Sequence, residues 1–123
     1  MDYIKVQKII RRYRERLGIN PSYLIHVNIV PESQWPKKYK VSGAGAWIQE
    51  SATHPEYYIN IRKDVLSGDV REVTQLIVHE LLHIVFGELL KSIKKNYDYD
   101  QDGKLEEKLV MQMARAIVPT KER

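Results

Sequence analysis

A short run of histidine and glutamate carries the clearest chemistry in this sequence. Residues 79–83 read His-Glu-Leu-Leu-His, a His-Glu-x-x-His pattern inside an apolar stretch. Residues four apart share one face of a helix, so the Cβ atoms of His79 and His83 would lie about 6 Å apart and the two imidazoles could reach one zinc ion. Glu80 would stand beside that ion and take a proton from a zinc-bound water. Polar side chains in a buried helix need partners, which favours a metal site over a chance pattern.

A catalytic zinc site requires a third protein ligand and an open position for water. The chain has no cysteine, so the third ligand must be a histidine or a carboxylate. A histidine six positions after His83, as in the metzincins, would fall at Leu89, which excludes that class. Glu106 and Glu107 in the last predicted helix each share a face with apolar residues. Either could point inward, and both could also be solvated residues of a first helical turn.

The motif followed by a glutamate on a later helix resembles the gluzincin metallopeptidases, and among them the short minigluzincins. It is also similar to the ImmA/IrrE-type regulatory peptidases. In those relatives a small apolar residue typically follows the ligand glutamate at three positions, Asp or Asn at four, and Ala at seven. Residues 70–118 carry the resemblance, which implies a zincin-like fold and zinc ligands His79, His83 and Glu107. The positions that follow Glu107 in this pattern are Val110, Met111 and Ala114, of which Met111 departs from it.

The resemblance implies a zinc metallopeptidase that hydrolyses peptide bonds, with Glu80 as the general base that later protonates the leaving amine. The substrate would be a peptide or protein, held by the predicted strand Tyr57–Ile61 through main-chain hydrogen bonds. A latent enzyme, with its cleft blocked by a terminal segment, is one alternative. Another is a non-catalytic module with structural zinc, whose basic N-terminal helix contacts nucleic acid or an acidic partner.

Hydrophobic periodicity places these residues in a single α+β domain over residues 1–123. We predict an N-terminal helix, a small antiparallel three-stranded sheet, the helix with the histidine motif and a C-terminal glutamate helix. Gly18 ends the first helix, Asp69 caps the second, and Gly87 weakens the helical pattern locally. The predicted helices span residues 3–17, 70–91 and 104–118, the strands 24–30, 46–49 and 57–61, and exposed loops 31–43 and 92–103.

Composition bounds the class of protein. Apolar residues make up 43% of the 123 residues and charged residues 29%, which is typical of a soluble globular domain. The absence of cysteine, of a signal peptide and of a long apolar run predicts a cytoplasmic protein without a membrane span. The net charge of +4 lies in residues 1–16. We interpret that charge as a solvated helix face rather than a nucleic-acid site.

Other residues are weaker candidates. The Asp98-x-Asp100-x-Asp102 pattern resembles the start of an EF-hand calcium loop, but the twelfth position, which should be glutamate, is Leu109. A capped turn is therefore favoured over a calcium site. Surface positions or ordinary packing are expected for the remaining histidines and aromatic residues considered, which are His26, His54, Trp35, Trp47, Tyr97 and Tyr99.

Overall fold

The computed structural model describes residues 1–52, 55–94 and 104–120. This part of the chain forms an α+β fold, as predicted, with four helices and a three-stranded sheet. None of the described helices has the length and apolar character needed to cross a membrane. The helices are α1 (Tyr3–Arg16), α2 (Lys37–Ser42), α3 (Val70–Lys94) and α4 (Lys104–Ile117), and the strands are β1 (Leu24–Val30), β2 (Ala46–Glu50) and β3 (Glu56–Arg62).

Helix α1 begins and ends where local side-chain chemistry requires it. The carboxylate of Asp2 accepts a hydrogen bond from the backbone N–H of Lys5 at 2.8 Å, which satisfies one free donor of the first turn. Gly18 has a φ of 68°, a left-handed conformation that suits glycine and stops the helix. The buried face of α1 is formed by Val6, Ile9 and Ile10, which follow the predicted helical spacing.

The sheet is mixed, and its strand order is β1-β3-β2. Strand β2 pairs antiparallel with β3, which confirms the predicted hairpin. The prediction of an entirely antiparallel sheet was wrong, because β1 pairs parallel with β3, from Leu24 opposite Glu56 to Val30 opposite Arg62. Residues 31–45 connect β1 to β2, which lies at the opposite edge of the sheet. Strand β3, the second strand of the hairpin, then lies between β1 and β2.

The segment between β1 and β2 is more ordered than the exposed loop that we predicted. It contains a 3₁₀ turn, Glu32–Gln34, followed by helix α2. Trp35 between them is only 3% exposed, and its indole N–H donates to the Ala44 carbonyl at 3.1 Å. The Trp35 ring meets the Trp47 ring edge-on at 4.6 Å between centroids. Trp35 thereby packs this segment against β2, as expected for tryptophans that bury large area.

Helix α3 is the central element because it packs on both sides. One side joins α1 and the sheet in the main core, which includes Ile59, Ile77 and Leu81. The other side meets α4 through Val78 and Leu82. The helix starts at the predicted position, where the Asp69 side chain accepts from the N–H groups of residues 71 and 72 at 2.9 and 3.3 Å. Because α3 packs against apolar residues on two sides, the polar side chains in its middle are shielded from solvent.

Candidate metal centre

The two histidines of α3 face one another on the side of the helix that meets α4. The Nε2 atoms of His79 and His83 lie 3.3 Å apart, and the ring planes are inclined by 67°. The side chains are 19% and 17% exposed. Burial lowers the pKa of His79, although the nearby Glu107 carboxylate acts in the opposite direction. A neutral imidazole is the form that binds a metal, so burial favours the ligand state of His79.

Helix α4 brings a carboxylate to this pair. The Oε1 atom of Glu107 lies 2.9 Å from His79 Nε2, and its Oε2 atom lies 3.0 Å from His83 Nε2. Val110 and Ala114, both buried, hold this face of α4 against α3. The Glu107 side chain is 49% exposed, so the centre is open to solvent on the α4 side.

One nitrogen from each histidine and one oxygen from Glu107 lie within 4.8 Å of one another, close enough to bind a single metal ion. The two Nε2 atoms lie 3.3 Å apart, and each lies within 3.0 Å of one oxygen of the Glu107 carboxylate, Oε1 for His79 and Oε2 for His83. Tetrahedral zinc with bonds of 2.0–2.1 Å would space its ligands about 3.3 Å apart. Two imidazole nitrogens and one carboxylate oxygen are also a donor set that catalytic zinc uses. The residues present therefore fit a zinc ion.

Glu106 and Glu107 occupy different positions. The apolar spacing in the sequence had left open which of the two points inward. Its Oε2 atom lies 3.3 Å from Nδ1 of His83, on the side of the ring opposite the candidate metal position. Glu106 does not belong to the group of converging ligand atoms found in the described residues. The two successive glutamates thus approach different atoms of the same imidazole.

Glu80 lies next to His79 in α3 and is only 4% exposed. Burial, with a smaller contribution from the Glu107 charge, raises the pKa of the Glu80 carboxyl to about 8. A carboxyl group with a pKa near neutrality can accept and release a proton under ordinary conditions. The sequence predicted this residue as the general base, and that role stays a prediction, because a pKa of about 8 leaves the carboxyl mostly protonated at neutral pH in the metal-free chain.

Two cavities adjoin the centre and differ in charge. On the His79 side, a cavity of about 290 Å³ has apolar walls, among them Leu76 and Met111, together with one acidic and one basic side chain. On the His83 side, a cavity of about 250 Å³ includes Tyr57, whose hydroxyl donates to Glu88 at 3.3 Å. The charged residues are Glu72 and Arg115 in the first cavity, and Glu50, Glu88 and Glu106 in the second.

The prediction that Tyr57–Ile61 holds the substrate by adding a peptide strand was wrong. Tyr57–Ile61 lies in β3, the central strand, and both of its edges are hydrogen-bonded to neighbouring strands. An added peptide strand needs a free edge. Within the described residues, β2 is the edge strand on the hairpin side, and its Ile48 and Glu50 line the cavity that contains His83.

The remaining candidates lie elsewhere. His26, in β1, contacts Glu56 at 2.7 Å and stacks on Tyr58, away from the metal centre. The proposed calcium loop Asp98-Asp100-Asp102, and with it Tyr97 and Tyr99, falls outside the described residues, as does His54.

Sequence reasoning missed the role of Gly87, which it treated only as a weak point in the helix. A Cβ atom at this position would lie 3.2 Å from Oε1 of Glu106. The signal available in the sequence was a glycine one turn after His83, inside an otherwise strong helical pattern.

Comparison with known proteins adds no relative to this geometry. No family model matches the chain, and no curated protein or solved structure matches it either. The gluzincin resemblance therefore stays a prediction, and the arguments below depend on the residues of this chain.

Proposed function

We propose that this chain is a zinc-dependent peptidase of the gluzincin type. The observation that supports this proposal most directly is the approach of Glu107, from α4, to both Nε2 atoms of the histidine pair in α3. The buried Glu80 carboxyl, whose pKa is raised by burial and by the Glu107 charge, would supply the proton-transfer group that a hydrolase needs. A metal site with three protein ligands and a solvent-open side has the composition of a catalytic rather than a structural zinc site.

Each residue has a distinct role in the proposed reaction. His79, His83 and Glu107 would hold zinc, which supplies Lewis-acid chemistry that acidifies water and polarises a peptide carbonyl. Glu80 accepts the proton of the attacking water and donates it to the amine that leaves when the C–N bond breaks. The raised pKa of Glu80 suits the second transfer, because the carboxyl holds a proton at neutral pH in the metal-free chain.

The proposed substrate is an extended peptide segment that adds to the edge of β2 at which no strand of the described residues pairs. Backbone hydrogen bonds between Arg62 N–H and the Gly45 carbonyl, and between Ser51 N–H and the Glu56 carbonyl, set the alternation along the hairpin. With this register, Ile48 directs its main-chain N–H and C=O groups away from β3. A peptide bound there would lie next to the cavity that contains His83.

Zinc content and hydrolysis together test the proposal. The full chain should bind one zinc ion by elemental analysis and cleave an unfolded protein such as reduced casein in a chelator-sensitive manner. Glu80→Gln should keep the zinc and lose hydrolysis by several orders of magnitude, since the proton acceptor is gone. Full turnover by this variant would overturn the role of Glu80, and the absence of zinc from the wild type would overturn the metal centre.

A second candidate function is a non-catalytic zinc module that binds an acidic partner. A groove of about 520 Å³ between α1, the start of α3 and the end of α4 has an apolar floor that includes Ile9 and Ile117. Its charged lining residues are all cations, namely Lys5, Lys8, Arg12 and Arg71. Zinc without hydrolysis, combined with salt-sensitive binding of an acidic peptide, would favour this alternative.

A further inference from the structure

We propose that Glu106 is a positioning residue for His83 and that Gly87 provides the space in which it does so. This inference rests on the proposed metal centre and names a residue pair that the motif does not contain. The carboxylate of Glu106 would accept a hydrogen bond from the Nδ1–H group of His83. The lone pair of His83 is then fixed on Nε2, the nitrogen that faces His79 and Glu107.

The contact of Glu106 is directed at the nitrogen that the metal would leave free. Glu106 Oε2 and His83 Nδ1 are 3.3 Å apart, and the two side chains are 25% and 17% exposed. A neutral imidazole carries its proton on one nitrogen, so an acceptor at Nδ1 selects the tautomer with a lone pair on Nε2. Carboxylate partners of this kind orient metal-binding histidines and increase the basicity of the ligand nitrogen.

The geometry of α4 explains how adjacent residues reach opposite sides of one ring. Successive helical residues are separated by about 100° around the axis, so Glu106 and Glu107 diverge as they leave α4. Glu107 reaches Nε2 of His83 at 3.0 Å, whereas Glu106 reaches Nδ1. The imidazole is therefore held between two carboxylates from consecutive positions, and only one of them faces the candidate metal position.

Gly87 is the second observation that supports the inference. It lies one turn beyond His83 in α3, where a glycine is unfavourable to the helix by about 1 kcal/mol relative to alanine. A Cβ atom there would lie 3.2 Å from Glu106 Oε1, closer than ordinary van der Waals contact. The missing side chain leaves room for the Glu106 carboxylate beside His83, which explains why a glycine occupies this helical position.

Zinc affinity of the full chain, measured by competition with a chromophoric chelator, tests the pair. Glu106→Ala should weaken zinc binding by about ten- to a hundredfold, the usual effect of removing such a partner. Glu106→Gln, which keeps an acceptor oxygen, should lose less. Glu72→Gln serves as the control, because it removes a carboxylate beside the His79 cavity and should stay within about twofold of the wild type.

A double-mutant cycle tests whether Gly87 acts through Glu106. Gly87→Ala alone should weaken zinc binding, although alanine favours the helix, and the same change in a Glu106→Ala background should have no effect. Nitrogen-15 NMR of the zinc-loaded wild type should show the proton of His83 on Nδ1. Thermal unfolding of each variant in chelator would separate any general loss of structure from loss of zinc affinity.

Three results would overturn the positioning role. They are Glu106→Ala binding zinc as the wild type does, Glu72→Gln losing as much affinity as Glu106→Ala, and complete loss of zinc on Glu106→Ala with retention on Glu107→Ala. The last result would make Glu106 the ligand itself. A wild type that binds zinc without hydrolysing peptides would refute the proposed function while leaving the positioning role supported by the affinity series.

Discussion

Glu107 Oε1 lies 2.9 Å from Nε2 of His79, so the last described helix completes a group of donors that the helix before it begins. Helix α3 carries both histidines and the buried Glu80, but its side chains alone leave the group without a carboxylate facing the Nε2 atoms. The joining of α3 and α4 through Val78, Leu82 and Val110 is thus also the assembly of the candidate metal centre.

Zinc should stabilise the wild type, because the proposed ligands come from two helices and exist as a site only in the folded chain. At a free zinc concentration of about a hundred times Kd, linkage predicts a gain of about 2.7 kcal/mol. Differential scanning fluorimetry with and without chelator measures the shift in Tm. His79→Ala and Glu107→Ala should lose it, whereas His26→Ala, which alters an exposed histidine of the sheet, should keep it. An equal shift in all variants would contradict the proposed ligands.

Glu80→Gln should stabilise the metal-free protein at alkaline pH. The pKa of Glu80 is about 8 in the fold against an ordinary value of 4.5, so the folded state binds the additional proton between these pH values. The contribution of Glu80 to wild-type stability therefore falls as pH rises from about 5 to 8, where ionisation of the buried carboxyl opposes folding. Because glutamine does not ionise, Glu80→Gln should not show this loss of stability at high pH.

Thermal unfolding in chelator at a series of pH values measures this effect. The Tm difference between Glu80→Gln and the wild type should be small near pH 5 and largest above pH 8. Glu32→Gln, an exposed carboxylate outside the site, is the control and should show no such increase. A difference that does not vary with pH would contradict a buried, titrating Glu80.

Substrate binding at the edge of β2 predicts a backbone effect at Ile48. Ile48→Pro removes an N–H group directed away from β3 and should raise KM more than it lowers kcat. Ile48→Ala removes most of the same side chain but keeps the N–H group, so it isolates the main-chain contribution. Steady-state kinetics on one peptide, with circular dichroism to verify folding, makes the comparison. Equal KM values for the two variants would remove β2 as the docking strand.

Trp35 should contribute to stability without affecting the metal centre. Trp35→Ala deletes a side chain that is 3% exposed and should cost about 3–5 kcal/mol of unfolding free energy. Trp35→Phe retains most of the packing but loses the hydrogen bond from the indole N–H to the Ala44 carbonyl. That loss should lower the free energy of unfolding by about 1 kcal/mol, in addition to the effect of any packing change. Urea unfolding measures both. Zinc content equal to that of the wild type is expected, and its loss would link this segment to the centre.

Sequence periodicity predicted the elements whose packing is local. The predicted bounds of α1, residues 3–17, agree with Tyr3–Arg16 to within one residue, and the predicted start of α3 and its Asp69 cap are confirmed. The same spacing predicted that His79 and His83 face the same way, which the 3.3 Å separation of their Nε2 atoms confirms. These features depend on residues close in the chain, so a single sequence contains their cause.

The features that the sequence could not predict depend on distant pairing. The parallel pairing of β1 with β3 depends on the path of residues 31–45 between β1 and β2. Trp35 and Tyr39 of that segment both pack on Trp47 of β2, a contact that no periodic apolar pattern in the segment predicts. The separate places of Glu106 and Glu107 depend on the rotation of α4 against α3. That rotation follows from the packing of Val110 and Ala114 on α3. The resemblance had matched these two positions to the pattern that follows a ligand glutamate, but the apolar spacing alone left both glutamates open.

The position of α3 between the sheet and α4 has a consequence for handling this protein. Removal of the proposed zinc would leave α4 attached through an apolar cluster that includes Val78, Leu82 and Ala114, and through the hydrogen bond from the Gln75 amide to the Val118 carbonyl. Hydrogen exchange should then show α4 opening before the rest of the described chain, and proteases should cleave α4 first. Purification in chelating buffers would therefore yield material that resembles the intact molecule in the sheet but has begun to fray at its final helix.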